Sequence, residues 1–314
     1  MSRIARSEVF CPTQTNCIFT VCTAAPGRQL ASQPASSTEG GDQRRAFIED
    51  LVAIFSQYFA IDLIAFSLDS CCLRQILLSN PQLAQQLSPE EVARRWLIIC
   101  PSLRKHAAPL HQPSEKDISQ LCEDPDRIET IRRQLSDVAW WNRLLCQRIA
   151  QAFNKLDNLK GHFWADRFRS TLLLDALSRL LCLMFIDIIN RMSGNARASG
   201  DSGQAPAGQQ RSIQSRQSLT QMDQTAYQNL LDWTHQVLTA GPADTQQDAA
   251  VISILSQRQI TMGMWFPLVM NFADSFAQIA GRLENMDRHL SRIRRRRFYV
   301  RPQTRRLLHQ HSLS

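Results

Sequence analysis

The sequence predicts an α+β fold: a small antiparallel sheet with helices on one face, a helical insertion, and a helical C-terminal domain. Three observations predict it. A β-branched apolar run at residues 17–22 precedes a stretch with helical spacing. Two apolar runs, 60–68 and 72–78, flank Asp69-Ser70-Cys71. Beyond residue 82, apolar residues recur at helical spacing nearly to the end.

Residues 17–22 (CIFTVC) read as a strand, and the Pro/Gly/Ser/Gln-rich residues 24–42 as a loop. Phe47, Leu51, Ile54, Phe55 and Tyr58 give residues 43–59 a helical face. The runs 60–68 and 72–78 read as a hairpin. Ser88-Pro89-Glu90-Glu91 is a helix start: Ser88 caps, Pro89 suits the first turn and Glu91 completes a capping box, so a helix is expected to about Cys100. Asp124-Pro125 opens one long helix through Ile128, Ile131, Leu135, Val138, Trp141, Leu145 and Ile149, with its arginines on a solvated face. Residues 160–164 form a turn and 171–192 a long helix. Residues 225–238, 248–257 and 265–293 are helical by pattern. The expected organisation is an α+β domain at 1–193 with an insertion at about 82–160, a flexible linker at 194–218, a helical domain at 219–293 and a basic tail at 294–314.

A chain that is 44% hydrophobic and 20% charged can bury a sizeable core. The net charge of +8 favours polyanions, nucleic acid first. The most apolar run, 172–189, carries Asp175, Arg179 and Asp187, so a buried helix is expected rather than a membrane span. Residues 1–10 lead into no apolar core of signal-peptide length, and nine cysteines without framework spacing read as reduced thiols; the expectation is a cytoplasmic protein. Cys11, Cys17 and Cys22 lack the spacing of a zinc ribbon.

Residues 292–306 hold eight arginines with Phe298 and Tyr299 interleaved. Arg294, Arg295, Arg296, Arg297 and Arg301 are expected to neutralise phosphates, and Tyr299 to stack on a base. The bland alternative is a solvated tail. Arg167 and Arg169, around Phe168, are candidates for backbone contact, with packing and surface charge as equal alternatives. His162 suits capping or packing better than metal ligation, because nothing nearby in sequence completes a shell. Trp140, Trp141 and Trp164 read as core anchors rather than stacking platforms.

Six segments resemble, in consistent order, the REP-associated single-tyrosine HUH transposases in their long form. They are AIDLIAFSLDSCCLRQILLSNP (60–81), SPEEVARRW (88–96), DPDRIETIRRQLSDVAWWNRLLCQRIAQAFN (124–154), GHFWADRFRS (161–170), LLLDALSRLLCLMFIDIINR (172–191) and AYQNLLDWTHQVL (226–238). The resemblance implies a ferredoxin-like HUH core, single-stranded or hairpin DNA as substrate, and a homodimer. It also implies a reaction. Two histidines on the second hairpin strand hold magnesium or manganese, which polarises the scissile phosphate. A helix-borne tyrosine then attacks and forms a 5′-phosphotyrosine link.

The matching positions depart from that chemistry. The family's histidines fall on Cys72 and Arg74. Arginine has no lone pair to give a metal, and a thiol is a soft ligand poorly matched to magnesium or manganese. The tyrosine falls on Phe185 and the amide ligand on Ile189, with Asn190 one residue late. Ala165 stands where the family has a carboxylate. The reading is a DNA-binding member with impaired catalysis, needing no metal cofactor and no membrane. Two alternatives stand beside it: an active transposase using displaced residues, and a remnant with no DNA role. None of the three tyrosines, Tyr58, Tyr227 and Tyr299, matches the nucleophile's place, and the one histidine pair at two-residue spacing, His309 and His311, lies in the tail.

Overall fold

The computed structural model describes residues 9–31, 39–100, 112–193, 215–241, 245–293 and 300–309. The elements run β1 (Cys17–Thr23), α1 (Glu39–Tyr58), β2 (Ile61–Leu68), β3 (Cys72–Ser79), α2 (Pro81–Gln86), α3 (Pro89–Ile99), α4 (Glu115–Cys122), α5 (Pro125–Leu135) and α6 (Val138–Leu156). There follow β4 (Arg169–Leu173), α7 (Ala176–Met192), α8 (Gln224–Ala240), α9 (Thr245–Gln257), α10 (Met262–Met270), α11 (Phe272–Ser275), β5 (Ile279–Ala280), α12 (Leu283–Arg292) and α13 (Pro302–His309). The fold is α+β, as expected.

The strands lie in the order β2-β3-β1-β4-β5. The first four pair antiparallel, whereas β5 joins β4 in parallel, so the sheet is mixed rather than wholly antiparallel. Parallel neighbours need a long crossover, and the helices α7 to α11 supply it.

Helices cover both faces, not one. Alternation along β1 sends Ile18 and Cys22 to a core shared with Leu73, Leu77, α1 and α3 to α6. It sends Phe19 and Val21 to a second core shared with Ile76, α7 and α8 to α11. The helices after residue 219 therefore do not stand apart as a domain of their own: Leu230, Trp233, Trp265 and Leu268 pack in one core with Phe19, Leu181 and Phe185.

Three expected helices are broken. Residues 169–173 are β4, and α7 starts only after Asp175, whose carboxylate accepts from Ser178 N while the Ser178 hydroxyl accepts from Asp175 N. The expected helix from Asp124 stops at Leu135 and restarts at Val138, with Asp137 accepting from Ala139 N at 2.7 Å. Residues 265–293 divide into α10, α11, β5 and α12. Ser88 caps α3 as expected, accepting from Glu91 N at 3.2 Å. The Glu91 carboxylate turns forward to Arg95 Nε at 2.6 Å, an i,i+4 pair, instead of back to close a capping box. Most of the expected linker lies outside the described residues. Among the described residues no helix is long and apolar enough to cross a membrane.

Candidate functional site

The α7 face of the sheet carries the positions singled out by resemblance. Residues paired across antiparallel strands share a face. Arg74 on β3 pairs with Ser67 on β2 and Val21 on β1, and Val21 pairs with Arg169 on β4. One row thus runs Ser67–Arg74–Val21–Arg169, with two arginines two strands apart, roughly 10 Å at ordinary strand spacing. Arg169 and nearby Arg167 are exposed. Arg74 is half-buried, and its Nη1 donates to Asp69 Oδ2 at 2.6 Å. Burial opposes the Asp69 charge, but the Arg74 guanidinium and the amides of Cys71 and Cys72 hold its carboxyl below the usual range.

The next row along the strands is Ile76–Phe19–Thr171. Phe185 on α7 packs edge-on against Phe19, with ring centroids 6.1 Å apart, and against Phe272 at 6.3 Å. It is 7% exposed. Structure therefore brings Cys72, Arg74 and Phe185 to one side of the sheet, the last over a row two residues along β3 from Arg74. Ile189 is half-buried against the same apolar core, and Asn190 Nδ2 donates to Phe66 O at 2.9 Å, tying α7 to β2. The donor set does not suit a hard dication. A guanidinium occupies the second ligand position, and the first offers sulfur.

Ala165 lies at the same sheet end, its amide donating to Thr23 O at 2.9 Å beside Cys72. Trp164 Nε1 donates to Cys146 O, Trp141 is fully buried, and Trp140 stacks under Arg143 and against Trp96. These are packing roles for all three tryptophans. His162 is exposed. Arg301 is exposed beside α11, its amide donating to Ser275 O at 3.1 Å. Arg294, Arg295, Arg296, Arg297 and Tyr299 lie outside the described residues.

Sequence reasoning missed a buried polar triad behind the same face. Asp187 on α7 accepts from Tyr227 OH at 2.7 Å and from Arg216 Nη1 at 3.2 Å. Arg216 Nε also donates to Ile64 O at 2.9 Å, at the irregularity in the β2 register. The visible signal was an isolated acid inside an apolar helix, which requires a partner. Burial and the Asp187 charge push the Tyr227 phenol well above its ordinary value.

A folded-state value raised above the unfolded one contributes stability below pH about 10 that is lost as pH rises through and beyond that value. Denaturant titrations from pH 8 to 11 should therefore show wild type losing stability faster than Tyr227→Phe above pH about 10. Buried Cys17, which burial pushes up to about 12, is present in both proteins and cancels in the comparison. Parallel curves would contradict the assignment.

No protein-family model, curated protein or solved structure matches the chain.

Proposed function

We propose that this chain is a DNA-binding protein of the REP-associated transposase kind that holds single-stranded or hairpin DNA without cleaving it. The observation that carries the reading is the arginine placement: exposed Arg169 at the start of β4, in register with Arg74 through Val21, with exposed Arg167 just before the strand, in a chain of net charge +8. Charge of this sign attracts phosphates without reading sequence. The wiring supports the resemblance: β1-α1-β2-β3, helices, then β4, with antiparallel neighbours in the order β2-β3-β1-β4, is the strand order that a split βαβ core would have.

The chemistry of the face argues against strand cleavage. Phe185 has no hydroxyl and is walled by Phe19 and Phe272. Tyr227, whose hydroxyl does reach α7, is buried and donates to a carboxylate, which keeps it protonated and a poor nucleophile. The proposal places the protein with DNA as its partner and includes a homodimer as its working form.

The test is oligonucleotide retention by the full chain across a salt series. Binding should weaken steeply with salt. Substituting glutamate for Arg167 and Arg169 should flatten the log–log slope by roughly 2, one for each phosphate no longer neutralised. Glutamine at Arg294, Arg295, Arg296 and Arg297 should flatten it further. Failure to retain any oligonucleotide at low salt would end the binding claim. A covalent protein–DNA adduct formed with manganese, and lost in Tyr227→Phe, would end the claim that DNA is not cut.

A further inference from the structure

Asp69, Cys71 and Cys72 stand together at the turn between β2 and β3, one ligand atom from each within 4.8 Å of the others. Adjacent residues of a strand point to opposite sides, so neighbouring cysteines do not ordinarily meet. Here the turn brings them together. Asp69 Oδ1 accepts from Cys71 N at 2.8 Å and Cys72 N at 2.7 Å, while Asp69 N donates to Cys72 O at 3.0 Å. The two Sγ atoms end 3.4 Å apart. The turn is fixed from outside as well: Ala24 N donates to Cys71 O and Leu30 N to Ser70 O, each at 2.8 Å. Cys71 is exposed and Cys72 half-buried, with Thr23 Oγ1 3.8 Å from the Cys72 sulfur.

From this geometry we infer a binding site for a thiophilic divalent cation of the zinc type, held by the Cys71 and Cys72 sulfurs and an Asp69 carboxylate oxygen. Zinc–sulfur bonds of about 2.3 Å in a tetrahedron put two sulfurs roughly 3.8 Å apart, a few tenths of an ångström beyond their present separation. The fourth position opens on the exposed side of Cys71 and takes water. Binding releases the two thiol protons. The charges then close: two thiolates and one carboxylate oppose the dication and the Arg74 guanidinium. Two sulfurs and a single carboxylate select a soft ion over magnesium or manganese. Arg74 competes with the ion for Asp69 and sets the affinity. This inference rests on the turn alone and holds whether or not the chain binds DNA.

The full-length reduced protein is titrated with Co²⁺ and then with Zn²⁺. One equivalent of cobalt should produce a thiolate-to-cobalt charge-transfer band, and zinc should abolish it. The band should disappear in the Cys71→Ser/Cys72→Ser double variant, and Asp69→Asn, which keeps the oxygen that caps the turn, should weaken binding. Arg74→Gln removes the competing cation and should tighten binding on the order of tenfold. Cys71→Ser alone, on an exposed side chain, leaves the fold intact and should also lose the one-equivalent band. No thiolate band in wild type, or the same band in the double variant, overturns the site, because seven other cysteines would then be responsible for any cobalt bound.

Discussion

Arg216→Leu is expected to melt roughly 10 °C below wild type. Removing one partner of a buried ion pair costs about 3–5 kcal/mol, because the remaining charge is left without compensation, and each kcal/mol moves a domain of this size by about 2–4 °C. Asp187 is held in an apolar helix by two partners, Arg216 and Tyr227, and both side chains of the ion pair are largely buried. Arg216 also donates to Ile64 O at 2.9 Å, so its loss removes a tie to the β2 irregularity as well. Adding Asp187→Asn to Arg216→Leu should recover much of the loss by removing the unpaired charge. Calorimetry of the two singles and the double gives the coupling. An Arg216→Leu protein within about 1 kcal/mol of wild type, a small change on the usual scale of such losses, would show that the triad does not hold the fold.

Trp141→Ala should cost as much or more. The ring is fully buried on α6, edge-on to Phe55 at 5.5 Å and Phe59 at 5.3 Å. Deleting a buried tryptophan costs about 3–5 kcal/mol through lost burial and the cavity left behind. Its Nε1 also donates to Gln75 Oε1 at 3.0 Å, and Gln75 is fully buried on β3. Trp141→Phe separates the two contributions: it keeps much of the packing and removes the donor, so about 1–3 kcal/mol for the unmet acceptor should remain beyond the loss of ring volume. Urea titration measures both variants. A Trp141→Phe protein as stable as wild type would mean that Gln75 Oε1 finds another donor.

The parts of the fold legible in the sequence were those with an unambiguous period or a strong cap. β1 follows from a short β-branched apolar run, the β2–β3 hairpin from two apolar runs flanking Asp69-Ser70-Cys71, α1 from helical spacing and the start of α3 from Ser88-Pro89. β4 was not legible, because its apolar residues continue past Asp175 into those of α7, and an apolar run of that kind does not by its period separate a strand from a buried helix. β5 is two residues long, below any periodic signal, and depends on pairing with Leu172 and Leu173 for its existence. The covering of the second sheet face was hidden for a related reason: period shows which residues of α8 and α10 are buried, but not which surface buries them. In the candidate site, Cys72, Arg74 and Phe185 could be picked out by matching positions, yet their sharing one side of the sheet needed the strand register. Arg216 could not be picked out at all, since it sits in low-complexity surroundings far in sequence from Asp187.

β5 also bears on how the protein must be made. Its two residues close the β4 side of the sheet, and Gly281 beside it leaves room for nothing larger: a methyl there would come within 2.8 Å of Asp175 Oδ2, which accepts from Arg282 N and Asn285 Nδ2. Until residues 279 and 280 have left the ribosome, β4 is an open edge. The nascent chain therefore carries an unpaired strand edge from the making of β4 to the making of β5, and the sheet reaches its full width only after the intervening helices α7 to α11 have been made.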